Sequence, residues 1–346
     1  MKYIQYSIQD IPENIKQGIH TIQKWEFYSS LWQTPEWTDM LLKTWYISRW
    51  DYYVAQNDNR DEILWYACVE IRSIWFGFYG AFIIGWPYWN TFSSKEGNPN
   101  WFIDFITQEV EKIWVVFLQL EPIQDDMPFI KMSFGAYKKF LTPFTRLVSL
   151  IWTEEDILWQ MHEKGRYNIR LAEKRWVQVE QVINNPENRD IFFDLLQETT
   201  ARDGFSQNSK RYYSDMLNML VSHDMGWLYF ASYHNEIIAA GIFVYYGNTA
   251  LYYYWASTSD RELRKHMPTY LLQWKAIQDA KERGCTQYDF LGVADPENPR
   301  DSLWGVTDFK NKFWWELKKW PQKYLIISRP FIYRIIVLLR WIKGLL

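Results

Sequence analysis

The chain has 346 residues, 48% of them hydrophobic, and its 38 Lys and Arg against 41 Asp and Glu leave a net charge of -3. A chain this long and this apolar is globular rather than disordered, and it calls for two domains rather than one core. Two distant cysteines, Cys68 and Cys285, exclude a disulfide framework and a thiolate zinc site and fit a reducing cytoplasm; five histidines without ligand spacing give metal catalysis no footing.

In chain order, residues 1–17 are polar and mixed, unlike a signal peptide. Pro35 opens a helix over 35–45, with Trp37, Met40, Leu41 and Thr44 at helical spacing. Strands are expected over 51–55, 64–71 and 76–84, the last closed by a Gly85-Trp86-Pro87 turn. A helix over 101–112 and a buried strand over 115–120 follow. The second half repeats this order, with a helix over 154–175, a strand at 177–182 and helices at 188–202 and 211–223. An antiparallel meander comes next, at 226–233, 236–246 and 249–256, turning at His234-Asn235 and Gly247-Asn248. A helix over 268–283 and a strand over 287–291 complete it, and no heptad-bearing arm interrupts 218–227. No run has the length of a membrane span. Neither GxSxG nor a P-loop glycine pattern occurs, which weighs against a serine hydrolase or a nucleotide kinase.

Charge is unevenly placed. Lys164, Arg166, Arg170, Lys174 and Arg175 make 164–177 a basic amphipathic helix that faces either an anionic partner or solvent. Residues 310–343 carry nine Lys or Arg against the single acid Glu316, and 330–346 combine cations with a broad apolar face. That face either packs on the first domain or lies on anionic lipid, a peripheral contact with the inner membrane surface.

Three segments carry a resemblance: RYNIRLAEK at 166–174, GCTQYDFLGVADPENPRDSLWGVTDFKNKFWWEL at 284–317 and, more weakly, QTPEW at 33–37. In order and spacing they resemble the FemABX family of peptidoglycan interpeptide-bridge aminoacyltransferases, nearest the FemX type without a helical arm. The resemblance implies an α+β fold of two tandem GNAT-like domains, mixed central sheets flanked by helices. Residues 1–150 with 320–346 would bind the acceptor, and 151–319 would take the aminoacyl-tRNA and carry catalysis. It implies transfer of Gly, Ala or Ser from aminoacyl-tRNA to the stem-peptide amine of UDP-MurNAc-pentapeptide or lipid II, with no cofactor beyond that co-substrate.

The attacking amine must be neutral, and the developing oxyanion needs a fixed donor or cation. On the resemblance Lys310 supplies that charge, with Phe309 beside it in the FK pair. Lys43, Arg211, Tyr213, Tyr254 and Asn90 are the expected acceptor contacts, although Asn90 departs from the acidic residue some relatives carry there. Arg166, Arg170 and Lys174 are the expected tRNA contacts. An acyl-CoA enzyme, a protein N-terminal aminoacyltransferase and a non-catalytic glycan- or membrane-binding protein stay open as alternatives. The CoA enzyme would need a glycine-rich turn opening a helix, and none is evident.

Tryptophan is the compositional oddity, at 22 residues against 15 glycines. Trp86, Trp114, Trp176, Trp255, Trp314 and Trp315 stand where the resembled family places glycine. Trp176 moreover follows a helix, at a site that favours positive φ. The expectation is a gene whose UGA codons specify glycine and are read in this sequence as tryptophan; aromatic drift is the alternative.

Overall fold

The structure is a computed structural model that describes residues 1–7, 10–58, 62–86, 88–89, 99–124, 133–313 and 316–344. The chain forms two compact units, Met1–Leu141 with Trp320–Leu346, and Thr142–Lys319. The division falls at 141/142 rather than 150/151, because the strand Phe144–Ser149 pairs within the second sheet.

The first unit contains β1 (Lys2–Ser7), α1 (Glu13–Trp25), α2 (Pro35–Lys43), β2 (Arg49–Gln56), β3 (Ile63–Ser73), β4 (Tyr79–Trp86), β5 (Tyr88–Trp89), α3 (Pro99–Lys112), β6 (Val115–Pro122) and β7 (Ser133–Phe134). The later segments β15 (Tyr324–Ile327) and α11 (Pro330–Ile342) return to it. Among the described residues the strand order is β1-β2-β3-β4-β6-β15-β7, with β5 on β3. Helix α3 crosses over between β4 and β6, which lets these two strands run parallel. Sequence periodicity missed β1 and α1, although Ile15, Ile19 and Ile22 bury one face of α1. The QTPEW segment is scaffolding. The buried Gln33 amide accepts from Cys68 N (2.8 Å) and donates to Ile84 O (2.7 Å), bridging β3 and β4 beyond their last ladder pair. Thr34 caps α2 by accepting from Trp37 N (3.3 Å).

The second unit contains β8 (Phe144–Ser149), α4 (Glu154–Gln160), α5 (Glu163–Lys174), β9 (Gln178–Val182), α6 (Pro186–Asp203), α7 (Lys210–Ser222), β10 (Gly226–Tyr233), β11 (Glu236–Tyr246), β12 (Thr249–Ser257), α8 (Arg261–Arg264), α9 (Pro268–Glu282), β13 (Gln287–Val293), α10 (Trp304–Lys310) and β14 (Glu316–Lys319). Its strand order among the described residues is β14-β8-β13-β12-β11-β10-β9, with β12 and β13 parallel. The β10–β11 hairpin turns as expected at His234-Asn235, both at positive φ (48° and 65°). The helix expected over 154–175 is two helices. The chain breaks at Met161-His162, where His162 N donates to Lys312 O (3.1 Å), a partner no local pattern announces.

Positive φ places the tryptophans in a new light. Trp114 (61°) and Trp176 (62°) are left-handed, and each follows the end of a helix, α3 and α5. Trp45 (65°), which the sequence comparison passed over, does the same after α2. These indoles are 68%, 80% and 87% exposed, and the Trp114 ring carries a cation, the Arg329 guanidinium 4.2 Å from its centroid. Glycine does that work after α6 and α9, at Gly204 (76°) and Gly284 (83°). Trp86 differs. It is fully buried, its indole N–H donates to Tyr66 O, and the positive φ belongs to Gly85 before it. Trp255 is also outside the positive-φ set, and Trp314 and Trp315 lie outside the described residues.

Candidate active site

Strands β12 and β13 pair only where Thr249–Leu251 meet Gln287–Asp289. Beyond Leu251 and Asp289 both strands run on but part, opening a notch at their C-terminal ends. On its other edge β13 bulges against β8 between Asp289 and Gly292, and Leu291 takes φ 55°. The fully buried Asp289 carboxylate secures this bulge, accepting from Leu291 N (2.6 Å) and from the Thr145 hydroxyl. The YDFLG run is thus a bulge-forming strand end.

The polar loop after β13 is folded by its own side chains. Asp301 accepts from Asp295 N (3.1 Å) and Leu303 N (2.9 Å), and the Thr307 hydroxyl accepts from Ala294 N (2.8 Å). These bonds aim α10 back at the bulge. Lys310, the last residue of α10, is 2% exposed and donates from Nζ to Gly292 O (2.7 Å) and Leu291 O (3.2 Å). Nζ lies 5.5 Å from the Trp255 ring centroid on β12, so the amine sits between the parted strands. Burial pushes its pKa down to about 7, with Asp289 opposing. An amine poised there changes charge near neutrality, which suits catalysis better than a surface lysine would.

Phe309 turns the other way, packing edge-on against Tyr270 (5.0 Å) and Phe313 (5.4 Å). These contacts give it a packing part in holding α10 in place. The same assembly explains Gly165. A Cβ at that position would lie 2.2 Å from Lys312 O, so the basic segment at the start of α5 docks directly on the FKNKF run. Gly165→Ala should therefore cost about 1–3 kcal/mol by overpacking against backbone. Thermal unfolding of the variant checks this, and an unchanged melting temperature would contradict the docking.

The remaining expected residues fall into groups. Tyr254 and Trp255 are successive strand residues and point to opposite faces of the sheet. Tyr254 belongs to a cluster with α7: its hydroxyl accepts from Asn208 Nδ2 (3.1 Å) and donates to Tyr212 (3.5 Å), and its ring meets Tyr213 edge-on at 4.9 Å. Tyr213 is buried, and its hydroxyl accepts from Asn208 N (3.2 Å). The structure therefore brings Tyr213 and Tyr254 together but not onto the face where Trp255 meets Lys310. Arg211 and Lys43 are exposed partners of Asp215 (3.4 Å) and Asp39 (3.1 Å) at i,i+4 spacing. Such pairs contribute a few tenths of a kcal/mol, so either cation can leave for a ligand.

Arg166 also staples a helix end, since its guanidinium donates through Nη1 to Trp159 O (3.0 Å) and Met161 O at the end of α4. Arg170 and Lys174 instead share an exposed stripe of α5 with Lys164 and Tyr167. Asn90 lies outside the described residues. Sequence reading missed Asp289, Asp301 and the turn 258–267, which carries Arg261, Arg264, Lys265 and His266 but neither glycine nor tryptophan. No group of three or more His, Cys, Asp or Glu that would hold a metal occurs among the described residues. Nor is any described helix long and apolar enough to cross a membrane.

A family model described as an acetyltransferase (GNAT) domain matches residues 163–311, the segment that contains α5, the notch and Lys310. A lipid II:glycine glycyltransferase of Staphylococcus epidermidis is 21% identical over 238 residues, 51% of this chain and 56% of that protein. One of Staphylococcus saprophyticus is 22% identical over 242 residues, 52% and 57% of the two chains. This chain thus spans just over half the length of the curated relatives it matches. Among solved structures, a crystal structure of FemX is similar with a TM-score of 0.81 at 16% identity, covering 97% of this chain and all of that one. A tandem GNAT protein from the clavulanic acid biosynthesis pathway follows at 0.55 and 10% identity, covering 94% and 98%. The fold is two GNAT-like domains in tandem.

Proposed function

We propose that this chain, which belongs to the FemABX family, is an aminoacyltransferase that moves an amino acid from charged tRNA to the stem-peptide amine of a peptidoglycan precursor. The observation that carries this reading is Lys310, a buried amine held on two carbonyl oxygens where β12 and β13 part. The donor's ester carbonyl enters the parting, and the neutral acceptor amine attacks it. Negative charge gathers on the carbonyl oxygen, and the Lys310 ammonium stabilises it from a site closed to water. The ester C–O bond then breaks, the amide bond forms, and the proton shed by the attacking nitrogen goes to the departing ribose oxygen.

Two features favour a charged tRNA over acyl-CoA. The turn that would wrap a pyrophosphate has no glycine and several cations, and α5 adds the exposed Lys164, Arg170 and Lys174. The names of the relatives support glycine as the transferred residue, with alanine and serine as its small competitors, and lipid II as the acceptor, with the soluble UDP-linked precursor sharing the same amine. Such a reaction belongs at the cytoplasmic face of the membrane.

The pH dependence follows. The neutral fraction of an ordinary lysine-type acceptor amine rises tenfold per pH unit up to about 10. Lys310 loses its charge above about 7, and this offsets that rise. Accordingly kcat/KM should climb below pH 7 and level off between 7 and 10. A profile that keeps climbing above 7 would make neutral Lys310 a general base and overturn the oxyanion role.

A further inference from the structure

In the first unit, a cavity of about 490 Å³ lies between the end of β3, the loop before β8 and helix α11. Arg72, Lys138 and Arg340 line it, with Tyr46, Tyr137 and Phe140 as aromatic walls. Arg72 is paired with the buried Glu70, and Arg340 donates to Tyr137 O (2.6 Å). Lys138 lies over the Phe140 ring at 5.2 Å, and its pKa is lowered by burial and by the charges of Arg72 and Arg340. The cavity is therefore a concave cationic site whose charges repel one another until an anion enters.

Helix α11 supplies the second, independent observation. Its inner face packs through Ile336 and through Tyr333 against Phe117, while Phe331, Ile335, Leu338 and Ile342 form one outward stripe at i, i+4, i+7 and i+11. Phe331 is 77% and Leu338 54% exposed. Arg334 flanks the stripe, Arg340, one turn on from Ile336, faces inward to line the cavity, Lys343 lies over the Trp75 ring of that cavity (4.5 Å), and α11 contains no acid. At 13 residues it is too short to span a bilayer but suited to lie in one surface. Phe76, 74% exposed at the tip of the β3–β4 turn beside the cavity, adds a further apolar contact.

We propose that α11 lies in the headgroup layer of an anionic phospholipid bilayer, its apolar stripe inserted, with one lipid phosphate seated among Arg72, Lys138 and Arg340. The apolar stripe needs a hydrocarbon boundary and the cations need phosphate, and an anionic membrane surface offers both together. This proposal uses residues of the first unit alone and no property of Lys310, so it stands whether or not the transferase reading does.

The test is sedimentation of the full chain with phosphatidylglycerol vesicles and with phosphatidylcholine vesicles, alongside inorganic phosphate as a soluble competitor. Binding to phosphatidylglycerol alone is expected, abolished in the double variant Ile335→Glu with Leu338→Glu, whose sites are already exposed. Lys138→Gln and Arg340→Gln should each weaken binding about fivefold, the effect of roughly one interfacial charge. Equal binding to both vesicle types, no binding, or retention by the double variant would overturn the proposal. Indifference to Lys138→Gln and Arg340→Gln would remove the cavity from it, and displacement by millimolar phosphate would assign the cavity to a free anion.

Discussion

Lys310→Met should lower kcat about a hundred- to a thousandfold, the loss typical of removing one preorganised oxyanion donor, while leaving the protein folded. The two readouts separate because the buried ammonium is itself unfavourable. Lys310 has a pKa of about 7 folded, below the ordinary lysine value, so the unfolded chain binds the extra proton throughout the interval between them. Stability therefore rises with pH across that interval, and the penalty is fully present below pH 7. Methionine fills the same slot without charge. It also leaves Leu291 O and Gly292 O without their donor, so relative to the parent chain the variant should be most stable below pH 7 and least stable near pH 10, as chemical denaturation at several pH values would show. A variant that loses activity by unfolding at pH 6 would make Lys310 a structural residue and leave the notch without its central group.

Glycine at positions 45 and 176 should raise stability by about 1 kcal/mol each, because a left-handed conformation costs an L-residue about that much and these indoles are exposed. Glycine at 114 should raise it less, since the Arg329 guanidinium over the Trp114 ring (4.2 Å) loses its partner. The triple variant should melt several degrees higher than the chain as written. A lower melting temperature would mean that the tryptophans stabilise contacts on the protein surface. The same reading extends to codons: UGA is expected at 45, 114 and 176, and peptides from the native cells should carry glycine masses there. At Trp255 the consequence is functional. Its indole lies over Lys310 and against Tyr252 (5.4 Å) and Phe205 (6.1 Å), so glycine would open the parted strands to substrate. Trp255→Gly should increase turnover rather than reduce it.

Local patterns announced the elements whose causes are local. The β10–β11 hairpin is legible because His-Asn at a two-residue turn accepts positive φ, and α2 because Thr34 and Pro35 start it. The break between α4 and α5 was not legible, since it depends on the Lys312 carbonyl roughly 150 residues later. Among site residues, Lys310 was found through the run that contains it. Its burial, and the bulge that Asp289 holds beneath it, are tertiary facts. The charge of Arg166 is visible in the sequence, whereas the α4 carbonyl to which it donates is not. Tyr254 and Trp255 looked equivalent as neighbours, yet a strand sends them to opposite faces.

One assay bears most directly on the claim that the Lys310 notch transfers an aminoacyl group from tRNA. The chain, with Gly at 45, 114, 176 and 255, is incubated with a charged tRNA pool and either UDP-linked pentapeptide or lipid II, with and without ribonuclease, and the acceptor is weighed by mass spectrometry. The account predicts a mass gain of one aminoacyl unit that disappears with ribonuclease and with Lys310→Met. A folded, Lys310-intact protein that modifies neither acceptor, or a gain that survives ribonuclease, would contradict it.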